Sequence, residues 1–389
     1  MKVRSSLSQR LQKLPPYLFA EVDRKKKAAI ERGVDLISLG VGDPDRPTHP
    51  HIIEAAKKAM DNPSHHKYPF GSGLKDFRDA VAAFMKRRFK VELDPATEIY
   101  SLIGSKEGIG HLPLAVIDPK DVVLVPDPGY PVYQGSTILA DGEVFNMPLL
   151  RENQFLPDLD AIPAHVLESA SLMFIGYPNN PTSATVQKDF FEKVVKFARE
   201  HEIVVAHDNA YSEMYFGQPP ISFLETPGAK DVGVEFHSLS KTYNMTGWRL
   251  GWICGNKDVV KQLATVKDNF DSGVFEVVQA AGIAALNGPQ ACVEDMRKLY
   301  KERRDLFIPA MKKMGWDLNT PEATFYVWAK TPNGLTSMET VSHILESTGV
   351  LCTPGNGFGP SGEGYVRFAL TVEKPRLEEA LARLGKLRW

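Results

Sequence analysis

Between about Lys75 and Trp252, short runs of apolar, often β-branched residues alternate with longer segments of helical periodicity. The longer segments place their apolar residues on one stripe and their charges on the opposite face, as in the run KDFFEKVVKFARE that ends at Glu200. This alternation predicts right-handed crossovers and a largely parallel sheet with helices on both faces. The predicted strands are Ile99–Ile103, Val122–Val125, Glu143–Met147, Leu172–Gly176, Ile203–His207, Val234–His237 and Leu250–Cys254, and the helices between them include Lys106–Val116, Val132–Leu139 and Lys188–Glu200.

The pattern changes after Lys257. Helical periodicity runs over Lys257–Leu286, breaks near Asn287-Gly288-Pro289 and resumes over Ala291–Met314. Isolated strands and two further helices predict a smaller α+β domain, and we expect the early strand Leu36–Leu39 to pack with it. These later elements are the strands Thr324–Trp328, Val350–Thr353 and Tyr365–Leu370 and the helices Thr336–Ser347 and Pro375–Leu387. The predicted division is an N-terminal arm and part of the small domain (1–45), a large domain (46–286) and a small C-terminal domain (287–389).

The composition is that of an ordinary globular chain whose charges nearly cancel. Of its 389 residues, 43% are hydrophobic and 24% are charged, and 46 basic against 48 acidic side chains give a net charge of −2. This balance excludes the basic surplus of a dedicated nucleic-acid or anionic-membrane binder, so we expect neither as a partner. No apolar run reaches the ~20 residues of a membrane helix, charges interrupt any leader-like core, and three cysteines are too few for a disulfide framework. We therefore expect a cytoplasmic protein.

Two charged residues follow predicted strands, at the edge where open parallel sheets place their active crevice. Asp208 follows Ile203–His207, where it could be a metal ligand, a ribose-binding acid, a partner for a heterocyclic cation or simply a helix N-cap. Lys241 follows Val234–His237 among Ser, Thr and Gly residues, with Arg249 eight residues on. A lone loop lysine is usually a solvated charge. Hydroxyls, backbone N–H groups and a guanidinium suit a phosphate, however, and a desolvated lysine amine suits covalent carbonyl chemistry.

The lysine segment belongs to a set of motifs. Ser238-x-Ser240-Lys241 followed by Gly247-x-Arg249-x-Gly251 resembles the lysine motif of the fold-type I, class I/II pyridoxal-phosphate aminotransferases. The other motifs stand in that family's order: Tyr177-Pro178-Asn179-Asn180-Pro181-Thr182, Asp208-Asn209-Ala210-Tyr211, and Pro354-Gly355-x-x-Phe358-Gly359 with Tyr365-Val366-Arg367-Phe368. The resemblance implies an α/β fold, with a large domain built on a mostly parallel seven-stranded sheet between helices and a smaller α+β domain.

The resemblance also implies a pyridoxal 5′-phosphate enzyme with three catalytic residues, Lys241, Asp208 and Tyr211. Lys241 would bind the cofactor covalently and move the proton between the substrate α-carbon and C4′ of the cofactor. Asp208 would pair with the pyridine nitrogen, and Tyr211 and Asn180 would hydrogen-bond the phenolic oxygen of the ring. The other implied cofactor contacts are Ser105, the backbone N–H of Lys106 at a helix start, Ser238 and Arg249 around the phosphate, and Tyr130 flat on the ring.

For the substrate, the resemblance implies that Arg367 clamps the α-carboxylate, because arginine presents a planar fork that matches a carboxylate. Gly42 would line the opposite side, where a Cβ would obstruct, with an ordinary turn glycine as the alternative. Lys106, Tyr130 and Asn180 complete the predicted substrate-binding residues.

Among the family's branches, the similarity is closest to the LL-diaminopimelate aminotransferases. Gly104-Ser105-Lys106-Glu107-Gly108, the run Asp127–Tyr133 and Lys67-Tyr68-Pro69 carry it. It implies transamination between LL-diaminopimelate and 2-oxoglutarate, a reaction of lysine biosynthesis. The alternatives are an aspartate/alanine-type or broad-specificity aminotransferase, a β-lyase on the same fold and a cofactor-sensing module without catalysis.

The chain departs from the family pattern at two places. Ser183 follows Asn-Pro-Thr where the family usually has Gly, and the turn would accept it with a negative φ or a changed turn type. Phe70 and Gly71 stand where some members carry a glutamate that reads the far end of the substrate. The second departure bears on substrate choice.

Assembly is implied at Tyr68, which resembles a tyrosine that reaches across a two-fold interface to the neighbour's cofactor phosphate. The implied partner is a second copy of the chain, in a homodimer with shared active sites. A core or surface tyrosine is the alternative. We expect no metal, because the histidine pairs His49/His51 and His65/His66 lack a third ligand.

Overall fold

The computed structural model describes residues 6–15 and 18–389. The predicted N-terminal arm therefore includes two stretches, 1–5 and 16–17, that lie outside the described residues. The helices are α1 Gln9–Lys13, α2 Leu18–Glu31, α3 Pro50–Met60, α4 Lys75–Phe89, α5 Ser105–Val116, α6 Val132–Leu139, α7 Ala164–Leu167, α8 Lys188–Glu200, α9 Ala229–Val232, α10 Leu239–Thr242, α11 Lys257–Phe270, α12 Glu276–Asn287, α13 Ala291–Lys313, α14 Ser337–Thr348 and α15 Lys374–Leu384. The strands are β1 Ile37–Ser38, β2 Ile99–Leu102, β3 Val122–Asp127, β4 Glu143–Pro148, β5 Ala170–Ile175, β6 Val204–Asp208, β7 Gly233–Ser238, β8 Gly251–Gly255, β9 Tyr326–Lys330, β10 Val350–Leu351, β11 Thr353–Pro354 and β12 Tyr365–Ala369.

The seven strands predicted from the apolar runs all form and pair into one sheet in the order β2-β8-β7-β6-β5-β3-β4. The pairs from β4 to β7 are parallel, whereas β8 runs antiparallel to both of its neighbours. Both faces of the central strands are buried, which favours apolar runs such as Leu172–Ile175 in β5. Every residue of β7 is buried as well, although this strand includes the polar Glu235 and His237. The prediction of a mostly parallel α/β sheet is confirmed.

Helices cover both faces of this sheet. One hydrophobic cluster joins the sheet to α3, α4, α8 and α12, and another joins it to α5 and α11. Helix α8 shows how the sequence specifies this packing, because its apolar stripe is buried while its charged face stays exposed. Since parallel strands end at one edge, the last residues of β6 and β7, Asp208 and Ser238, line the same cavity as Ser105, the first residue of α5.

A smaller unit packs beside that edge. It contains the antiparallel sheet β11-β12-β9 and the short parallel pair β1-β10, with a hydrophobic cluster of its own. Ile37 pairs with Val350, so the early strand joins elements from the end of the chain. The domain boundaries at 45/46 and 286/287 stay a prediction.

Two predicted elements were wrong in detail. The helical stretch predicted over Lys257–Leu286 is two helices, because Gly273 has a left-handed φ of 101° and donates its N–H to the Asp271 carboxylate. The strand predicted over Val350–Thr353 is two short pieces, each paired with a different strand.

Within the described part of the chain, no helix combines the length and the apolar character required to span a membrane.

Candidate active site

Eleven of the twelve predicted site residues line one cavity of about 200 Å³ at the carboxyl edge of the large sheet. They are Gly42, Ser105, Lys106, Tyr130, Asn180, Asp208, Tyr211, Ser238, Lys241, Arg249 and Arg367. The exception is Tyr68, whose side chain is 74% exposed and does not line this cavity. Residues separated by more than 300 positions therefore converge on one space.

Lys241 lies on α10, the short helix that follows β7, and its ammonium group points into the cavity. Its Nζ donates a 2.7 Å hydrogen bond to the carbonyl oxygen of Gly42. Burial lowers the pKa of Lys241 to about 8, with the positive charges of Arg367 and Arg249 acting in the same direction and Asp43 opposing them. A substantial fraction of this amine is therefore neutral near pH 7–8, which a nucleophilic lysine requires.

Asp208 is the last residue of β6, whereas the sequence analysis placed it directly after the strand. Its Oδ1 accepts a 3.3 Å hydrogen bond from the Ala210 N–H, and its Oδ2 accepts a 2.9 Å bond from the Tyr133 hydroxyl. Burial raises the pKa of Asp208, and the Tyr133 hydrogen bond opposes that rise. A cationic N–H group beside this carboxylate would stabilise its charged form.

A cradle for an anion forms where α5 begins. Ser105 is the first residue of this twelve-residue helix, and Ser238 and Arg249 face it. A Cβ on Gly104 would lie 2.4 Å from Arg249 Nη2, and one on Gly251 would lie 2.8 Å from the Ser105 nitrogen. The two glycines therefore leave room for the guanidinium and the helix N–H groups, which together suit a phosphate.

Arg367 projects from β12 and is fully buried. Its Nη1 donates to Asn180 Oδ1 at 2.7 Å and its Nη2 donates to the carbonyl oxygen of Gly40 at 2.9 Å. Its Nε has no hydrogen-bond partner within the described residues. Burial lowers the pKa of the Arg367 guanidinium. A buried cation that keeps an unused N–H is suited to a carboxylate.

Tyr211 has a partner that the sequence analysis missed. Its hydroxyl is 2.9 Å from that of Tyr326, the first residue of β9. Burial raises the pKa of Tyr211 well above its ordinary value, so the phenol stays protonated and can donate. A Cβ on Gly42 would lie 2.0 Å from the Tyr326 hydroxyl. A larger residue at position 42 would therefore collide with Tyr326 of the same chain.

Tyr133 was also missed as a functional residue. Tyr130 lies two positions before α6 and Tyr133 is the second residue of that helix, and both line the cavity. Tyr133 belongs to the run Asp127–Tyr133 that carries part of the family resemblance. No pattern within that run predicts that the Tyr133 hydroxyl contacts Asp208.

Of the two ways in which the turn could accept Ser183, a negative φ is excluded, because the φ of Ser183 is +63°. Its hydroxyl lies 2.7 Å from that of Thr324 and donates to the carbonyl oxygen of Tyr326 at 2.9 Å. The left-handed conformation costs free energy for a residue other than glycine, and these buried contacts help to offset that cost.

One cluster near the cavity has metal-like spacing. Ligand atoms of Glu107, His111 and Asp271 lie within 4.8 Å of one another. The buried ammonium of Lys267 donates to Glu107 at 2.9 Å and to Asp271 at 3.0 Å, however, so a cation of the chain already neutralises both carboxylates. We interpret this cluster as an ion-pair network that holds α5 against α11.

Comparison with known proteins identifies the family to which the chain belongs. The model of the aminotransferase class I and II family matches residues 34–384. The chain belongs to the class I and II aminotransferases. As an aminotransferase of this family it depends on pyridoxal 5′-phosphate. The cavity fits that cofactor, because it offers an anion cradle, a lysine whose pKa is lowered and a buried carboxyl whose charged form a cation would stabilise.

The relatives of this aminotransferase extend over nearly its whole length. It is 58% identical to a protein of Syntrophobacter fumaroxidans named LL-diaminopimelate aminotransferase, over 98% of each chain. A protein of Aquifex aeolicus with the same name is 56% identical, over 98% of this chain and 99% of the relative. Among solved structures, substrate-bound BacF from Bacillus subtilis is 40% identical, with a TM-score of 0.94 over 99% of this chain and 98% of that one. A Thermus thermophilus aspartate aminotransferase is 29% identical, with a TM-score of 0.91 over 98% and 99%.

Proposed function

We propose that this aminotransferase transfers an amino group between LL-diaminopimelate and 2-oxoglutarate, in either direction. In the reverse direction glutamate donates the amino group, and tetrahydrodipicolinate, opened by water, becomes diaminopimelate, a step of lysine biosynthesis. The observation that carries the proposal is the identity of 58% and 56% to two relatives of that name, over 98% of the chain. A cytoplasmic location accompanies the proposal and stays a prediction.

Lys241 is the proposed proton carrier. Bound pyridoxal 5′-phosphate supplies an electron sink for the charge that develops when the substrate α-carbon loses its proton. The Lys241 amine takes that proton, and the pKa of about 8 makes the amine a competent base near neutral pH. The 2.7 Å bond to the Gly42 carbonyl holds Nζ inside the cavity, away from bulk water.

Asp208, Tyr211 and the anion cradle are proposed to hold the cofactor. The Asp208 carboxylate, oriented by Tyr133, would pair with the ring nitrogen, and the protonated Tyr211 would donate to the phenolic oxygen. The side chains of Ser105, Ser238 and Arg249 and the backbone N–H of Lys106 bind the phosphate.

Arg367 and Lys106 are proposed to read the two ends of the substrate. The Arg367 guanidinium binds the α-carboxylate while Asn180 fixes one of its edges at 2.7 Å. The Lys106 ammonium, which lies 5.8 Å from the centre of the Tyr130 ring, attracts the far carboxylate. Tyr130 and Gly42 line the same cavity, where Tyr130 would cover the cofactor ring and Gly42 would bound the substrate's other side.

The proposed assembly is a C2 homodimer in which Tyr68 of each chain completes the partner's site. The side chains of Tyr68 and Phe70 are 74% and 77% exposed, and their ring centres lie 5.5 Å apart. Two adjacent aromatic rings at this exposure are unusual on a monomer surface and typical of an interface.

A substrate panel tests the proposal. We expect kcat/KM for LL-diaminopimelate to exceed that for aspartate and alanine, and we expect the donor alone to convert the bound cofactor to its aminated form. The likeness to an aspartate aminotransferase makes aspartate the strongest competitor. A higher kcat/KM for aspartate or alanine would overturn the substrate, and elimination without amination would indicate a lyase.

Lys106→Met sharpens the test, because it leaves the backbone N–H of residue 106 in place. We expect kcat/KM to fall about 10-fold or more for LL-diaminopimelate and little for alanine, which has no far carboxylate. An equal loss for both substrates would mean that Lys106 does not read the far end.

A further inference from the structure

Tyr326 joins two residues with different proposed tasks. Its hydroxyl meets that of Tyr211 at 2.9 Å, and its ring lies 4.1 Å from the guanidinium carbon of Arg367. Its side chain is 3% exposed. One buried side chain is therefore in contact with both the proposed donor to the cofactor ring and the proposed clamp for the substrate carboxylate.

The sheet of the smaller unit fixes this arrangement. In the antiparallel pair β9-β12, Arg367 stands opposite Trp328, so Tyr326 is its diagonal neighbour on the same face. The 2.0 Å approach of its hydroxyl to the position of a Gly42 Cβ shows that the chain at position 42 leaves room for this phenol. The pocket wall is thus built around Tyr326.

Ser183 ties the backbone of Tyr326 to the Asn180 loop. The Ser183 hydroxyl donates to the Tyr326 carbonyl oxygen at 2.9 Å, and the Thr324 hydroxyl accepts from the Tyr326 N–H at 3.0 Å. The hydroxyls of Ser183 and Thr324 are themselves 2.7 Å apart. A glycine at position 183 would adopt the positive φ without strain, but it has no hydroxyl to contact Tyr326 and Thr324.

We infer that Tyr326 is a positioning residue of the active site, whose hydroxyl orients Tyr211, whose ring supports Arg367 and whose backbone Ser183 anchors. A phenol that donates to the oxygen of Tyr211 leaves the Tyr211 proton free for the cofactor and makes Tyr211 a stronger donor. The inference rests on the roles proposed above for Tyr211 and Arg367.

The hydroxyl is tested in holoenzyme carrying Tyr326→Phe, with Tyr211→Phe alongside. The measured quantity is the pH midpoint of the visible absorbance change of the lysine-bound cofactor. A donor to the phenolic oxygen stabilises its negative charge, so losing the donor raises the midpoint. We expect Tyr211→Phe to raise it, and Tyr326→Phe to raise it by less, by roughly 0.3–1 pH unit.

Tyr300→Phe is the matched control. Tyr300 is fully buried near Tyr326, its ring centre is 5.0 Å from that of Phe325, and its hydroxyl has no hydrogen-bond partner among the described residues. We expect this variant to keep the wild-type midpoint. A midpoint shift of the same size in Tyr300→Phe would show that the Tyr326 effect comes from disturbed packing in general. That result would overturn the inference.

Separate measurements test the ring of Tyr326 and the contact of Ser183 with the Tyr326 backbone. Tyr326→Leu should raise KM for both amino donor and oxo acceptor at least several-fold, whereas Tyr326→Phe should leave both KM values near wild type. Ser183→Gly should raise the absorbance midpoint in the same direction as Tyr326→Phe without lowering the melting temperature, because glycine accepts the positive φ. A lower melting temperature with an unchanged midpoint would make Ser183 purely structural and overturn its part.

Two failures can be told apart. If Tyr211→Phe raises the midpoint and Tyr326→Phe leaves it at the wild-type value, the positioning role of Tyr326 is wrong while the proposed function stands. If Tyr211→Phe also leaves the midpoint unchanged, the role proposed for Tyr211 is wrong, and this inference falls with it.

Discussion

The hydroxyl of Tyr133 donates a 2.9 Å hydrogen bond to Oδ2 of Asp208. Burial raises the pKa of both groups, so the phenol keeps its proton and the carboxylate depends on its hydrogen-bond donors to hold its charge. Tyr133 also packs its ring on Phe174, with centres 4.9 Å apart, which fixes its direction. Asp208 is thereby presented to the cavity in one orientation.

Removing that hydroxyl should weaken cofactor binding. We expect Tyr133→Phe to raise the dissociation constant of pyridoxal 5′-phosphate by an amount equivalent to about 1.5–3 kcal/mol, because a hydrogen bond to a charged group is lost. Titration of the apoenzyme by fluorescence measures it. Tyr243→Phe is the control, since Tyr243 is buried and donates to Gln290 at 2.8 Å outside the cavity. Equal dissociation constants for the two variants would contradict the role of Tyr133.

Lys241→Ala should abolish turnover while the cofactor still binds through the anion cradle. Borohydride reduction followed by peptide mapping should place the cofactor on Lys241 in the wild type and on no residue in the variant. In the apoenzyme, reactivity of Lys241 toward a carbonyl reagent should rise with pH around a midpoint of about 8, because burial lowers its pKa. Covalent label on another lysine would contradict the prediction.

Arg367→Ala should weaken binding of every amino acid and oxo acid by ~2–5 kcal/mol, because a desolvated carboxylate loses its paired cation. Arg367→Lys should restore only part, since a point charge cannot make two parallel bonds. Steady-state KM values for both substrates measure the effect. Unchanged KM values in the alanine variant would place the substrate carboxylate elsewhere.

Tyr68 and Lys241 should complement each other in mixed dimers. Lys241→Ala should be inactive and Tyr68→Ala impaired as homodimers. After mixing and refolding, half of the dimers are hybrids with one intact site, so activity should rise towards about a quarter of wild type. Subunit exchange is verified with two affinity tags. Activity that stays at the average of the two parents would show that Tyr68 does not act in the partner's site.

Glu235 should make the stability of the protein depend on acid pH. Its fully buried carboxylate accepts from Ser222 and the Phe223 N–H, and it contacts His207 and His237 at 2.9 and 2.6 Å. Burial alone would raise the pKa of Glu235, but the two histidines outweigh it and hold the pKa well below its ordinary value. The stabilisation is therefore present above the unfolded pKa of about 4.3 and is lost as pH falls towards the folded pKa.

Glu235→Gln measures that contribution. We expect the variant to lose about 3–5 kcal/mol of unfolding free energy at pH 7, because a buried network loses its charged acceptor, and to lose less as pH falls below about 4. Urea unfolding at several pH values gives both quantities, with the exposed Glu346→Gln as control. A loss that does not vary with pH would show that packing, and not charge, is responsible.

The sequence by itself determined most of the large sheet. Its seven strands are short segments rich in apolar residues, and their observed bounds differ from the predicted ones by at most two residues. Helices α6 and α8 begin and end where periodicity placed them. The local pattern suffices here because the faces of an element that are buried determine which of its consecutive residues are apolar.

The sequence also supplied the residues of the cavity, through motifs that each occupy a few consecutive positions. Lys241, Asp208 and Arg367 were found in this way, and the structure brings them to one space. Their roles follow from the family and stay predictions until they are measured.

Tertiary structure alone decided how those residues are supported. Tyr326 reaches Tyr211 and Arg367 because β9 pairs with β12 in one particular register, and a shift of one residue would turn its side chain to the other face. The left-handed turn at Ser183 and the crowding at Gly42 depend on the same strand. Such contacts join residues that are distant along the chain, such as Ser183 and Tyr326, and their geometry is set by packing between the two units, which no local pattern along the chain records.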